Sequence, residues 1–148
     1  MRCRAARTIR DRLGRRGAFL LILGIGKTSW GLGFLVAPHP EPRGLALLTS
    51  LAPLHCWAWV WVAAGIATTG CAFLKVGRDA LGFVTALVPP TVWATAYTVA
   101  VATGDYPRGG WVALWYLTSH VGVIMWAAAV PEHSVPPPPR RPQRGKAP

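Results

Sequence analysis

The chain has 148 residues, of which 52% are hydrophobic and only 14% are charged. Sixteen basic residues against five acidic ones give a net charge of +11. A soluble domain carries roughly 25% charged residues, and the basic residues here are separated from long apolar stretches. The composition excludes a large soluble domain, a disordered chain and a disulfide scaffold. It indicates a small polytopic membrane protein.

Four apolar stretches follow a basic cytoplasmic segment at 1–17, which is predicted to include a short interfacial helix. They run over 18–37, 53–74, 80–103 and 111–130. Each is long enough to cross the hydrocarbon of a bilayer, and proline, glycine or charge lies at its boundaries. The sequence therefore predicts an all-α integral membrane protein folded as an antiparallel four-helix bundle.

The last segment, residues 131–148, is rich in proline and arginine. A run of four prolines at 136–139 precedes Arg140 and Arg141 and matches a PxxPxR ligand pattern. Such a run favours polyproline II without a packed core. We predict a disordered cytoplasmic tail, with a peptide ligand or a cationic membrane tether as alternative roles.

Basic residues predict the orientation of the spans. Thirteen of the sixteen lie in the N-terminal segment, the connection after the second stretch or the tail. Only Arg43 and Arg108 fall on the opposite side, and Lys27 falls inside the first stretch. This count predicts a multi-pass membrane protein with both termini in the cytosol. Arginine outnumbers lysine thirteen to three, a bias typical of GC-rich genomes that favours a bacterial or phage origin and hence the inner membrane. The protein's expected partners are the bilayer and anionic lipid at the cytoplasmic face, and nucleic acid is not expected.

Aromatic residues cluster at the predicted outer ends of the second and fourth stretches. Indole and phenol rings prefer the headgroup level, so an interfacial aromatic belt is predicted. Its members are Trp57, Trp59, Trp61, Tyr106, Trp111 and Trp115.

Lys27 lies near the middle of the first stretch, where a charged residue costs roughly 2.5–3.5 kcal/mol on insertion scales. Gly17, Gly24 and Gly31 repeat every seven residues around it. Small residues at such spacing let helices approach closely, so they predict a packing seam with Lys27 along its edge. The sequence leaves open whether this seam packs within one chain or between copies in a homo-oligomer.

Antiparallel threading places several polar side chains at a similar depth to Lys27. We therefore predict a midplane polar cluster inside the bundle. Its candidate members are Lys27, Thr28, Thr91, Thr95, Tyr116 and His120. The alternatives for this cluster are simple packing, an ion or proton path, and a ligand pocket.

Pro89 and Pro90 fall in the middle of the third stretch. Proline removes a backbone donor, so a helix kink is predicted there, with a gating hinge as a second interpretation.

The sequence offers few side chains that are placed for catalysis or metal binding. All five acidic residues fall outside the apolar stretches, and the histidines form neither HxxxH nor HExxH. No carboxylate pair can therefore share a proton within the bilayer. The sequence predicts no catalytic residues, no metal site, no cofactor and no enzymatic activity.

Three short loop segments carry a resemblance: PRGL at 42–45, RDALGF at 78–83 and GDYPRGGW at 104–111. They resemble those of small four-span membrane proteins from actinobacteria and their phages. The resemblance implies the topology and the origin, and it carries over no catalytic residue. Small phage membrane proteins with a charged tail also include holins, although many holins have fewer spans and no midspan lysine.

Three functions are open at this point. The first expectation is a non-enzymatic membrane assembly or scaffold protein. The second is a holin-like pore former or small channel that acts as a homo-oligomer. The third is a transporter or membrane enzyme that uses Lys27 and His120.

Overall fold

A computed structural model of the chain describes residues 2–37, 43–75 and 77–131, with side chains from residue 13 onward. Within those residues the fold is all-helical, without a strand. The helices are α1 (Arg2–Val36), α2 (Ala46–Leu51), α3 (Leu54–Cys71), α4 (Ala80–Ala102) and α5 (Gly109–Ala129). The predicted tail lies outside the described residues apart from its first residue.

Three helical segments are long and apolar enough to cross a membrane: Leu13–Val36, Ala80–Ala102 and Gly109–Ala129. The first has a break in α1 near its start, at Gly14, whose φ of 60° is a conformation that glycine adopts readily. Helix α3 has 18 residues and is not one of the three, because its tryptophan, histidine and threonine residues lower its mean hydropathy. The membrane crossing of α3 therefore stays a prediction.

Helix α1 packs more extensively against α3 than against any other helix. Gly17, near the start of its apolar part, lies against the carbonyl oxygen of Ala72, directly after α3. Gly31, two seam positions later, lies against the carbonyl oxygen of Ala58, near the start of α3. The two helices are therefore antiparallel, and the glycine seam is used within the chain.

Helix α4 joins α3 through buried hydroxyl groups. Thr68 Oγ1 lies 3.2 Å from Thr85 Oγ1 and 3.4 Å from the carbonyl oxygen of Gly82. Pro89 and Pro90 are buried inside α4, which is helical on both sides of them. The predicted kink at this point stays a prediction.

Two buried clusters form the core between the helices. One comprises Leu45, Leu48, Trp61, Trp93, Ala94, Ala96 and Tyr116. The other comprises Leu20, Ala72, Phe83, Ala86 and Ile124. Large apolar side chains also face outward on every long helix, including Ile22, Ile66, Val84 and Trp111. Exposed apolar surface on this scale is typical of a protein surrounded by lipid.

Candidate functional site

A cavity of about 290 Å³ lies between α1, α3 and α5. Its walls are mainly aromatic and aliphatic, with one lysine, one tyrosine and one histidine, and they contain no carboxylate. The lining residues are Ile22, Leu23, Gly26, Lys27, Trp30, Trp61, Trp115, Tyr116 and His120. An apolar pocket with a few converging polar groups is the usual form of a small-molecule site.

Lys27 is the most unusual member of this lining. Its side chain is only 3% exposed, and its Nζ has no hydrogen-bond partner. The Nζ lies 4.9 Å from the centroid of the Trp61 ring, which is a cation–π contact. Burying an amine without a hydrogen-bonded partner costs free energy, which marks the position as a candidate site.

Two further residues of the lining hold a buried nitrogen atom without a hydrogen-bond partner, namely Trp61 at Nε1 and His120 at Nδ1. Buried polar atoms are nearly always hydrogen-bonded. Together with Lys27 Nζ, these atoms are the whole set of unpartnered buried side-chain nitrogens and oxygens in the described part of the chain. The lysine and indole groups can only donate, whereas His120 Nδ1 can donate or accept. The cavity therefore offers donors to a group that accepts hydrogen bonds.

A π-helical turn in α5, Tyr116–Gly122, positions two members of the lining. The Tyr116 and His120 rings lie 5.3 Å apart between centroids, and the Trp115 ring lies 4.7 Å from that of His120. Such turns are rare and occur frequently at functional sites. Tyr116 and His120, four residues apart, would share a face in an α-helix as well; the wider turn also aligns Trp115 with His120, five residues later.

The structure brings together only part of the predicted polar cluster. Lys27, Tyr116 and His120 line the cavity, but Thr91 and Thr95 do not. Their placement in the cluster is wrong: both side chains are exposed on α4, where each hydroxyl donates to a carbonyl oxygen one turn earlier. Those hydroxyls therefore need no polar neighbour on another helix.

Thr28 is also outside the cavity, although it is adjacent to Lys27 in sequence. Its Oγ1 donates to the carbonyl oxygen of Gly24 over 2.9 Å, and it packs against Gly65 of α3. Its role is close packing between α1 and α3.

The predicted aromatic belt includes one residue whose side chain is buried in the core. The exposed members are Trp59, Trp111 and Trp115, and the half-buried members are Trp57 and Tyr106. Trp61 is only 2% exposed and packs against Trp93, with 5.3 Å between ring centroids. Its assignment to an exposed belt is corrected, because its ring is part of the buried core and also lines the cavity.

Two features were not predicted from the sequence: one residue of the cavity lining and one ion pair between the helices. Trp30 lies three residues after Lys27, on the same helix face, and this spacing could have identified it as a lining residue. Arg16 and Asp79 form an ion pair at one end of the helices. The signal for this pair was that Asp79 is the acidic residue of an otherwise basic connection.

Among the side chains described here, no three His, Cys, Asp or Glu residues are grouped so that they could hold a metal ion. Comparisons with family models, with curated proteins and with solved structures found no match to this chain. The function is therefore argued from the cavity itself.

Proposed function

We propose that this chain is a four-span membrane protein, with both termini in the cytosol of a bacterium, that binds a small molecule in the cavity at Lys27. The observation that carries the proposal is that three residues of one cavity wall, on three different helices, each hold a buried nitrogen atom without a hydrogen-bond partner. An occupant with acceptor groups would satisfy all three.

The four-span arrangement is supported by the packing of α3. This helix lies antiparallel to α1 along the whole glycine seam, and α1 has the length and composition of a membrane span. A helix packed along a spanning helix shares its depth range. The exposed side chains of Trp59 and Ile66 on α3 then face lipid rather than water.

A binding role is favoured over a catalytic one by the composition of the lining. His120 has no carboxylate beside it in the cavity, and a general base normally needs an orienting partner and a nucleophile or water in reach. The site supplies recognition groups and apolar contact area, which suffice for binding.

The scaffold and pore interpretations each receive less support. The glycine seam that would join copies of a holin-like oligomer already packs against α3. A scaffold role explains the exposed ends of the helices but gives no reason for buried donors without partners. Binding at the cavity explains them directly.

Native mass spectrometry of the full chain released from detergent micelles tests this function. We expect wild-type protein to carry a small-molecule adduct that Gly26→Leu loses, because Gly26 lines the cavity and open space surrounds its Cβ position. Gly33→Leu is the matched control, since the space around Gly33 is also open but lies outside this cavity. A wild-type chain without any adduct, or an adduct that Gly26→Leu retains, contradicts the proposal.

A further inference from the structure

The ligand class can be read from the donor set of the cavity, on the condition that the cavity is a binding site as proposed above. We infer that the cavity binds the carboxylate end of a long-chain amphiphile, such as a fatty acid, which enters laterally from the bilayer. The observations behind this inference are the chemistry of the three nitrogen atoms, the size of the cavity and the exposure of its rim.

The donors match a carboxylate. Lys27 Nζ and Trp61 Nε1 donate only; both are buried without a hydrogen-bond partner, and both belong to residues that line the cavity. A carboxylate has two oxygen atoms that accept several hydrogen bonds, and it supplies the negative charge that a buried ammonium group lacks here. His120 can donate through Nδ1 as a third contact.

The size of the cavity fits a head group and only part of a chain. Its volume of about 290 Å³ lies at the lower limit of small-molecule pockets, which span roughly 300–1,000 Å³. The remaining methylene groups must therefore lie outside the cavity.

The rim provides a place for that apolar chain. Ile22 is 74% exposed, and Trp30 and Trp115 are about half exposed, although all three line the cavity. They belong to α1 and α5, both of which have the length and composition of membrane spans. The opening between these helices therefore faces the hydrocarbon, and a long acyl chain can remain in lipid while its carboxylate reaches Lys27.

A thermal-unfolding comparison of the full chain in maltoside micelles tests the ligand class. Palmitate is expected to raise the unfolding midpoint in a concentration-dependent way. Methyl palmitate, which keeps the chain and loses the negative charge, should raise it much less. Butyrate, which keeps the carboxylate and lacks the chain, should also raise it much less.

Two substitutions localise the effect. Lys27→Met should weaken palmitate binding by about tenfold or more, because it removes a charge-assisted hydrogen bond. Trp61→Phe should weaken it by about threefold to tenfold, since it removes one neutral donor and keeps an aromatic ring. Lys75→Met, at an exposed lysine outside the cavity, should leave palmitate binding unchanged.

If Lys27→Met fails to fold, the comparison of the three ligands on the wild-type chain still tests the inference. Equal stabilisation by palmitate and methyl palmitate would refute a carboxylate site, and equal stabilisation by butyrate would refute an amphiphile. Either result, together with an adduct that Gly26→Leu loses, would leave the binding function intact and reject only this ligand class.

Discussion

Arg16 Nε lies 2.7 Å from Asp79 Oδ2, and Arg16 Nη1 also donates to the carbonyl oxygens of Ala128 and Val130. One guanidinium group therefore joins the start of the apolar part of α1, the connection before α4 and the C-terminal end of α5. The carboxyl side chain is only 4% exposed and that of Arg16 is 16% exposed. Because sequence analysis assigns all three segments to the cytoplasmic side, the contact agrees with the proposed topology.

Removing the charge of Asp79 should destabilise the fold. Asp79→Asn removes the buried carboxylate charge that the guanidinium of Arg16 contacts, and this change is expected to lower the free energy of unfolding by about 3 kcal/mol. The measurement is the unfolding midpoint in detergent. Asp105→Asn is the matched control at an exposed acidic residue and should change stability by less than about 0.5 kcal/mol. Equal effects of the two substitutions would show that the ion pair is not important for the fold.

The closest approach of α1 and α3 gives a second prediction. A Cβ atom on Gly24 would overlap Thr69 Oγ1 and would lie 2.7 Å from the carbonyl oxygen of Gly65. Gly24→Ala should therefore force the helices apart and cost about 1–3 kcal/mol of stability. Gly33→Ala meets no atom within 4 Å, and its better helix propensity should give a small gain. Thermal unfolding of both variants checks this, and a neutral Gly24→Ala would contradict the described packing.

The positions of the helices could be predicted from the sequence because length and hydropathy are local properties. The third predicted stretch, 80–103, corresponds to α4 at Ala80–Ala102, and the fourth, 111–130, corresponds to α5 at Gly109–Ala129. Length and hydropathy are less decisive for helix α3. It was predicted as part of a span at 53–74, but its polar aromatic and threonine content leaves it outside the three strongly apolar segments.

It is harder to predict which face of each helix is buried. A side chain's preference for a depth in the membrane does not specify whether it points to the core or to lipid. The aromatic-belt rule treats Trp57, Trp59 and Trp61 alike, although residues four apart share a helix face and residues two apart do not. In the structure Trp57 and Trp61 both pack against Trp93, whereas Trp59 is exposed. Helical spacing alone could have separated Trp59 from the other two.

Of the residues predicted to form the polar cluster, Lys27, Tyr116 and His120 line one cavity, whereas Thr91 and Thr95 do not. A buried lysine has few ways to satisfy its donors, so Lys27 had to face protein. A threonine bonds its own helix at little cost, so depth did not determine the direction of Thr91 or Thr95. The π-helical turn that aligns Trp115 with His120 has no signature in the hydropathy pattern.

Two substitutions compare a threonine that bonds a neighbouring helix with one that bonds only its own helix. Thr68 is fully buried and shares a hydrogen bond with Thr85 of the neighbouring helix, so Thr68→Val should lower the free energy of unfolding by about 1 kcal/mol. Thr95 is exposed and bonds within its own helix, so Thr95→Val should change it by less than about 0.5 kcal/mol. Unfolding midpoints in detergent measure both effects. A larger loss of stability for Thr95→Val would indicate that Thr95 makes a polar contact between helices.

Cysteine labelling in intact cells tests the four-span topology. Arg108 and Arg78 are both exposed and lie in the connections before α5 and before α4, which the proposal assigns to opposite sides of the membrane. In a chain whose native cysteines are replaced by alanine, a membrane-impermeant maleimide should label Arg108→Cys and spare Arg78→Cys. Permeabilised cells should label both, because both positions are accessible once the barrier is removed. If intact cells label Arg78→Cys and not Arg108→Cys, the orientation is inverted. If they label both positions equally, α4 does not cross the membrane.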